Sequence, residues 1–352
     1  MTIRMSSITR ISAALTMAAL YGVIPSAARG QTFTTHRFDI GGQGFFDYLS
    51  VDTATGRVFV SRGTHIQVVD GSTGKQVGDI PNTPRTHGAL IVNATNRGFT
   101  TNGGDSTSTM FDLGTLAIIK QIHTGASGLD GFMYDDATNK ALTIDHSRPN
   151  GTAVVMDPAT GDVVGLVTTT GEAPEGGVSD GRGRIFINLE DKAAMDVVDD
   201  HTWKVVDTWS VAPCRRPTGI AMDRGTNRIF VGCSDTSVVV DAATGKVVAQ
   251  IAAGGGVDGM AFDPSEKLIY IPSGAAGTVT VVHEDAPNKY TVLATVPTMR
   301  GARTIAVDPK RHVAYVFTPE FAPAPADATP PPGGRGPARG PQLAAWLFVV
   351  KH

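Results

Sequence analysis

The 352 residues would make two or three ordinary domains, but 41 Gly and 21 Pro suit a chain of short strands and tight turns. The formal charge is −3 at pH 7, and the arginines are scattered rather than clustered. Nucleic acid, which demands a basic face, is therefore an unlikely default partner. The two cysteines rule out a disulfide-dense mini-domain.

Residues 1 to 30 read as a secretory signal peptide: Arg4 and Arg10 precede the apolar run Ile11 to Ile24, and Ser26-Ala27-Ala28-Arg29-Gly30 supplies small residues for cleavage after Gly30. Its removal takes away three arginines and no acids, which lowers the charge to −6. The run is too short for a retained membrane span, and no other stretch approaches the ~20 apolar residues that spanning needs. A periplasmic or secreted protein, expected as a monomer, follows.

From Phe33 onward one pattern repeats. Apolar runs of about five residues, rich in β-branched and aromatic types, are cut by turn clusters of Asp, Asn, Gly and Thr. The first turn of each unit is anchored at Asp52, Asn93, Asp135, Asp180, Asp223, Asp263 and Asp308, with spacings of 41, 42, 45, 43, 40 and 45 residues. A second anchor ends the third strand at Asp70, Asp112, Asp157, Asp199 and Asp241, with His283 in the sixth copy. Four strands per unit of 40 to 45 residues is the signature of a propeller blade. Residues 31–352 are read as one all-β domain, a seven-bladed β-propeller of four-stranded antiparallel blades.

In chain order, Phe33 to Ile40 is a lone strand. Blade 1 follows from Asp47 to Ile80, blade 2 from Gly88 to Ile122, blade 3 from Asp130 to Val167 and blade 4 from Glu175 to Val211. Blade 5 spans Thr218 to Ile251 and blade 6 Asp258 to Val296. The seventh unit has three strands only, Thr304 to Val307, Val313 to Thr318 and Ala345 to Val350, so the N-terminal strand is expected to join it and close the ring. Within that unit, Pro319 to Pro341 is a Pro/Gly-rich segment with almost no large apolar residue after Phe321, and reads as a surface loop.

Blade 5 carries a family resemblance. Pro217-Thr218-Gly219-Ile220-Ala221-Met222-Asp223, Arg228-Ile229-Phe230-Val231 and Val239-Val240-Asp241-Ala242-Ala243-Thr244-Gly245-Lys246 resemble the YVTN repeat of exported YncE-like β-propellers, over Phe33 to His352. The resemblance implies the same fold. It assigns no activity, because that repeat describes strands and turns.

Several catalytic motifs are absent: Cys-x-x-Cys-His for haem, His-Glu-x-x-His for zinc, Gly-x-Ser-x-Gly for a nucleophile elbow, and a Lys-Ser/Thr after Gly254-Gly255-Gly256 for a phosphate loop. Cys214 and Cys233 flank the first hairpin of blade 5 and are expected to form a structural disulfide in an oxidising compartment.

The sharpest functional signal lies five residues before each first-turn anchor, where the inner strands start: Asp47, Gly88 with His87 beside it, Asp130, Glu175, Thr218, Asp258 and Arg303. Ring symmetry brings these positions to one channel mouth. Reflection through each hairpin adds a partner ring of Arg62, Asn102, Asp145, Asn188, Cys233, Ser273 and Thr318, which sets Asp130 opposite Asp145 and Glu175 opposite Asn188.

Crowded carboxylates must be compensated. Either Arg303 and Arg62 neutralise Asp258 and Asp47, or a hard cation, Ca²⁺ or Mg²⁺, binds Asp130, Asp145, Glu175, Asn188 and Asp258. A ligand site of Asp47, His87, Asp130, Glu175, Asp258 and Arg303 is expected. Two functions stay open: a propeller binding a small polar ligand, cation or protein partner there, or a metal-assisted hydrolase or lyase of a lactone or sugar derivative, with His87 and Glu175 moving the proton. Nucleic-acid binding is a third reading, opposed by the charge.

Overall fold

Alternating residues of the second strand in each blade are buried on both faces, and this two-sided burial explains the continuous apolar runs. In blade 5, Ile229 and Val231 pack toward blade 4 with Phe186, Met195 and Val197, whereas Phe230 turns the other way onto Phe262, Ile269 and Ile271 of blade 6. A computed structural model, described for residues 32–325 and 338–352, repeats this arrangement at every junction. Seven core clusters each join two neighbouring blades. Each fully buried Val, Ile or Phe contributes about 1.5–3 kcal/mol, so the junctions hold the ring together.

Seven four-stranded antiparallel sheets form, as the sequence predicts. The inner strands are Leu49–Asp52, Thr86–Val92, Leu129–Asp135, Pro174–Ser179, Ile220–Asp223, Ala261–Asp263 and Ile305–Asp308. The outer strands of blades 1 to 6 are Gln76–Ile80, Ile118–His123, Val163–Thr168, Lys204–Ser210, Val247–Ile251 and Lys289–Pro297. Thr34–Asp39 pairs along the last strand, Gln342–Lys351, from Thr34 with Lys351 to Asp39 with Trp346, and so supplies the missing edge of blade 7. The expected closure is therefore present. It satisfies an edge that would otherwise offer unpaired backbone groups.

The turn after each inner strand obeys one backbone rule. The residue just before the second strand is left-handed in every blade, at Gly56, Asn96, Asn139, Gly183, Asn227, Lys267 and His312. The anchoring aspartates cap these turns, as where Asp52 accepts from the Ala54 N–H at 2.9 Å and Asp308 from the Lys310 N–H at 3.0 Å.

Three expectations need adjustment. In blades 2, 3 and 4 an extra residue bulges from the inner strand near its start, which shifts the register there. Blade 7's second strand runs on to Phe321 and the last begins at Gln342, so Pro319–Phe321 is strand rather than loop. Blade 6 lacks an Asp turn in its outer hairpin. Its strands Thr278–Ala286 and Lys289–Pro297 run long instead. The expected signal peptide, 1–30, and the middle of the Pro/Gly-rich segment, 326–337, lie outside the described residues. Among the described residues, no helix is long and apolar enough to cross a membrane.

Candidate functional site: the polar network at the channel mouth

Near the start of each inner strand stands a polar residue, followed by glycine in five blades, by Tyr48 in blade 1 and by Thr304 in blade 7. With the bulges included, the series is Asp47-Tyr48, His87-Gly88, Asp130-Gly131, Glu175-Gly176, Thr218-Gly219, Asp258-Gly259 and Arg303-Thr304. His87, rather than Gly88, therefore holds the strand-start place in blade 2. The glycines are required by close approach: a Cβ on Gly131 would stand 2.4 Å from the Glu175 carbonyl, and one on Gly176 2.8 Å from the Thr218 carbonyl. Adjacent strand starts are sewn together directly. The Tyr48 N–H donates to the His87 carbonyl at 2.8 Å, the Asp258 N–H to the Arg303 carbonyl at 3.0 Å, and the Thr304 hydroxyl to the Asp47 carbonyl at 2.7 Å.

The side chains of these positions form one continuous network. Arg303 spans blades 6 and 1, with Nε donating to Asp258 at 2.5 Å and a terminal nitrogen donating to Asp47 at 3.0 Å. His87 Nδ1 lies 2.8 Å from Asp47 Oδ2 and 3.1 Å from Asp130 Oδ1. His146 continues the chain, with Nδ1 3.9 Å from Asp130 Oδ2 and Nε2 3.3 Å from Glu175 Oε1. Tyr48 then donates its hydroxyl to Glu175 Oε2 at 3.0 Å, which returns the network to blade 1. Asp47 and Glu175 are almost wholly buried, while Asp130, Asp258 and Arg303 keep partial access to solvent.

Part of the compensation for the crowded acids comes from neighbouring side chains. Burial disfavours the His87 imidazolium, yet the close carboxylates of Asp130 and Asp47 outweigh it and lift its pKa to about 10. His146 follows the same logic, burial being outweighed by Glu175 and then Asp130, and reaches about 9. Burial would raise the Asp130 carboxyl, but the His87 contact holds it below the ordinary range. Glu175 is pushed to about 8 by burial and then by the Asp130 charge, against the pull of His146. Burial and Asp47 raise Asp258 to about 6 against Arg303. Tyr48 is held well above its ordinary value by burial and then by Glu175.

Of the residues expected here, Asp47, His87, Asp130, Glu175, Asp258 and Arg303 meet in this network. Asp145 does not. The bulge pairs it with Leu129, and its carboxylate ties the link before the inner strand to the loop after the second, accepting from the Gly128 N–H and the Ser147 hydroxyl. Asn188 stays near Glu175 along the sheet, but its amide donates sideways to the Thr218 and Gly219 carbonyls at 3.3 and 3.1 Å. Asp145 does not belong to the acid-and-imidazole groups whose donor atoms gather closely enough for one ion. Arg62 neutralises neither Asp47 nor Asp258. It is fully buried between the Gly41 carbonyl and Gln67, 5.1 Å over the Phe317 ring.

Three residues at the mouth were not anticipated. His146 follows the second strand of blade 3, off the repeating position, and Tyr48 occupies a place that is glycine in most other blades. Phe45 lies in the link before blade 1, half exposed, with its ring 5.5 Å from that of His87. The adjacent pair Asp145-His146 was the one available signal for His146. A separate cavity of about 310 Å³ lies further down the inner strands, among Leu90, Phe132, Tyr134, Val178, Met222 and Arg224.

The disulfide between Cys214 and Cys233 is formed, with Cα atoms 5.5 Å apart. It pins the link that enters blade 5, and both residues are buried.

No family model matches the chain, and no curated protein matches its sequence. Solved structures match its fold. A chain of Kuenenia stuttgartiensis hydrazine synthase is similar at a TM-score of 0.69 and 15% identity, covering 78% of this chain and 93% of that one. A chain of a mitotic checkpoint complex gives a TM-score of 0.70 at 14% identity, covering 88% and 95%. Identities this low establish a seven-bladed β-propeller and nothing about ligand or reaction.

Proposed function

We propose that this chain is an exported propeller of the YVTN/YncE-like kind that binds a small polar ligand at the mouth network. One observation carries the reading: six strand-start side chains from blades 6, 7, 1, 2, 3 and 4 converge in one place. The partly exposed carboxylates of Asp130 and Asp258 and the Arg303 guanidinium offer hydrogen bonds of both kinds. Phe45 adds a half-exposed apolar face on which a ring can lie. The Arg4-to-Gly30 leader pattern and the oxidised cysteine pair support export.

A thermal-shift panel of sugars, sugar acids, lactones and amino acids tests this directly. At least one class should raise the melting temperature of the wild-type chain, and Glu175→Gln or Asp258→Asn should abolish the response. A panel without hits, or a response that survives both substitutions, overturns the reading.

A second reading is the metal-assisted hydrolase or lyase of a lactone or sugar derivative. It is favoured by the grouping of Asp130, His146 and Glu175, whose donor atoms all lie within 4.8 Å of one another. Turnover of a lactone panel, lost in both Glu175→Gln and His87→Gln, would support it.

A further inference from the structure

The mouth contains two donor groups that share a member. Asp47, His87 and Asp130 form one, and Asp130, His146 and Glu175 the other, with all donor atoms of each group within 4.8 Å of one another. Asp130 directs Oδ1 toward His87 and Oδ2 toward His146. The groups are therefore alike in composition, with one imidazole and one terminal carboxylate on either side of a common carboxylate.

Hydrogen bonds do not saturate this arrangement. His87 Nδ1 carries at most one proton, and its bond is made to Asp47. Asp130 Oδ1, 3.1 Å away, is left as a buried oxygen with no hydrogen-bond partner. His146 Nε2 is likewise buried without one, although Glu175 Oε1 lies at 3.3 Å. A proton serves one acceptor along one line, whereas a metal ion serves every donor around it. With metal–ligand bonds of about 2.0–2.2 Å, donors of one shell stand roughly 3 to 3.5 Å apart, a range that holds the 3.1 and 3.3 Å spacings and lies between those of 2.8 and 3.9 Å.

We propose that Asp130 is a bridging carboxylate between two divalent transition-metal positions, one completed by Asp47 and His87 and the other by His146 and Glu175. The donor chemistry selects the ion. Ca²⁺ and Mg²⁺ take oxygen shells, while mixed imidazole and carboxylate donors suit Zn²⁺ or Mn²⁺. Three protein donors at each position leave room for a ligand, so this inference rests on the mouth being the functional site.

The purified chain, stripped with EDTA, is titrated calorimetrically with Zn²⁺ and separately with Mn²⁺, with Ca²⁺ and Mg²⁺ as controls, and bound metal is counted by mass spectrometry. Two equivalents of Zn²⁺ or Mn²⁺ should bind. His87→Gln and His146→Gln should each lose one, and Asp130→Asn both. Electron paramagnetic resonance of the Mn²⁺-loaded wild type should show two exchange-coupled ions, a readout that stands even if Asp130→Asn fails to fold. Binding of a single equivalent, uncoupled ions, or two equivalents that survive in Asp130→Asn overturns the proposal. If no metal binds while the ligand response persists in EDTA, this inference falls and the small-ligand reading survives. If neither is seen, both fall.

Discussion

The two ends of the inner strands use the same residue type for opposite purposes. At the turn end, aspartates find donors in their own hairpin, Asp52 from Ala54 and Thr55, Asp180 from the Arg182 N–H at 2.8 Å and Asp263 from the Ser265 N–H at 3.0 Å, although Asp263 also meets His312 and Asp135 meets Ser179 of the next blade. At the mouth, Asp47, Asp130, Glu175 and Asp258 find partners on other blades, or on a loop beyond their own hairpin, as far as 256 residues away. A carboxylate bound two residues along the chain is a folding device. One whose partners arrive only when the ring closes is surplus to local folding, and it is there that function can be carried.

The mouth needs the closed ring, because Arg303 and Asp47 meet across the junction of blades 7 and 1. Deleting residues 33–40 should therefore have the largest effect, exposing the edge of Gln342–Lys351 and removing Phe33 from the core between blades 6 and 7. Aggregation and loss of a cooperative melt are expected in light scattering and calorimetry. An unchanged melting temperature would mean that the ring holds without its closing strand.

Next in size is the disulfide, which enters the blade that contributes only a threonine to the series of mouth residues. Replacing Cys214 and Cys233 together by Ala should cost about 3 kcal/mol, from the loop it closes, in denaturant titration, with ligand response at the mouth retained. Thiol labelling of oxidised wild-type protein should find no free thiol, since the pair is bonded. Two labelled cysteines would contradict it.

Smaller still is the direct contrast between the ends. Asp52→Ala removes bonds to the Ala54 N–H, the Thr55 hydroxyl and Arg57, and should cost about 1–2 kcal/mol while sparing the mouth. Glu175→Gln keeps an acceptor for the Tyr48 hydroxyl and is neutral without taking up the proton that burial and Asp130 favour on Glu175, so at neutral pH stability should hold or rise by up to about 1 kcal/mol. The reverse outcome would make the mouth acids structural and place the functional surface elsewhere.

The fold was legible because it is written seven times, and seven anchors set the blade count even where single turns are degenerate. Leu116, at a left-handed turn position that is glycine in three other blades, is such a case. The mouth positions were legible for the same reason, since a polar residue recurring where packing gains nothing from it stands out against the repeat. What lay outside the repeat could not be read. The bulges in blades 2 to 4 depend on the crowding of strand starts around the channel, and they turned Asp145 away from Asp130. His146 comes from a loop, and the burial of Arg62 against Gln67 follows from the path of residues 40–46 rather than from any hairpin.

Glu284, an acid at the turn end, finds its hydroxyl partner on another blade, and it marks the place where the repeat itself breaks. His283 replaces the anchoring aspartate of blade 6, and the longer hairpin that results carries Glu284 onto the turn of blade 5. There its carboxyl is fully buried, accepts from the Thr226 hydroxyl at 2.9 Å and lies beside Asp223 with its second oxygen unpartnered, while Asn288 receives Arg228 at 2.7 Å. Burial, then the Asp223 contact, raise Glu284 from an ordinary 4.5 to about 7. A carboxyl raised in the folded state binds its proton more tightly there than in the unfolded chain. Its stabilising share is therefore complete below pH 4.5 and is lost as pH rises through about 7. Glu284→Gln keeps a donor toward Asp223 at every pH, so the gap in stability between variant and wild type should widen by about 1–2 kcal/mol between pH 4.5 and 7.5. Chemical denaturation of both proteins across that range measures the gap. Parallel curves would show that Glu284 is ionised in the folded protein, and that the two carboxyls are held apart by some other contact.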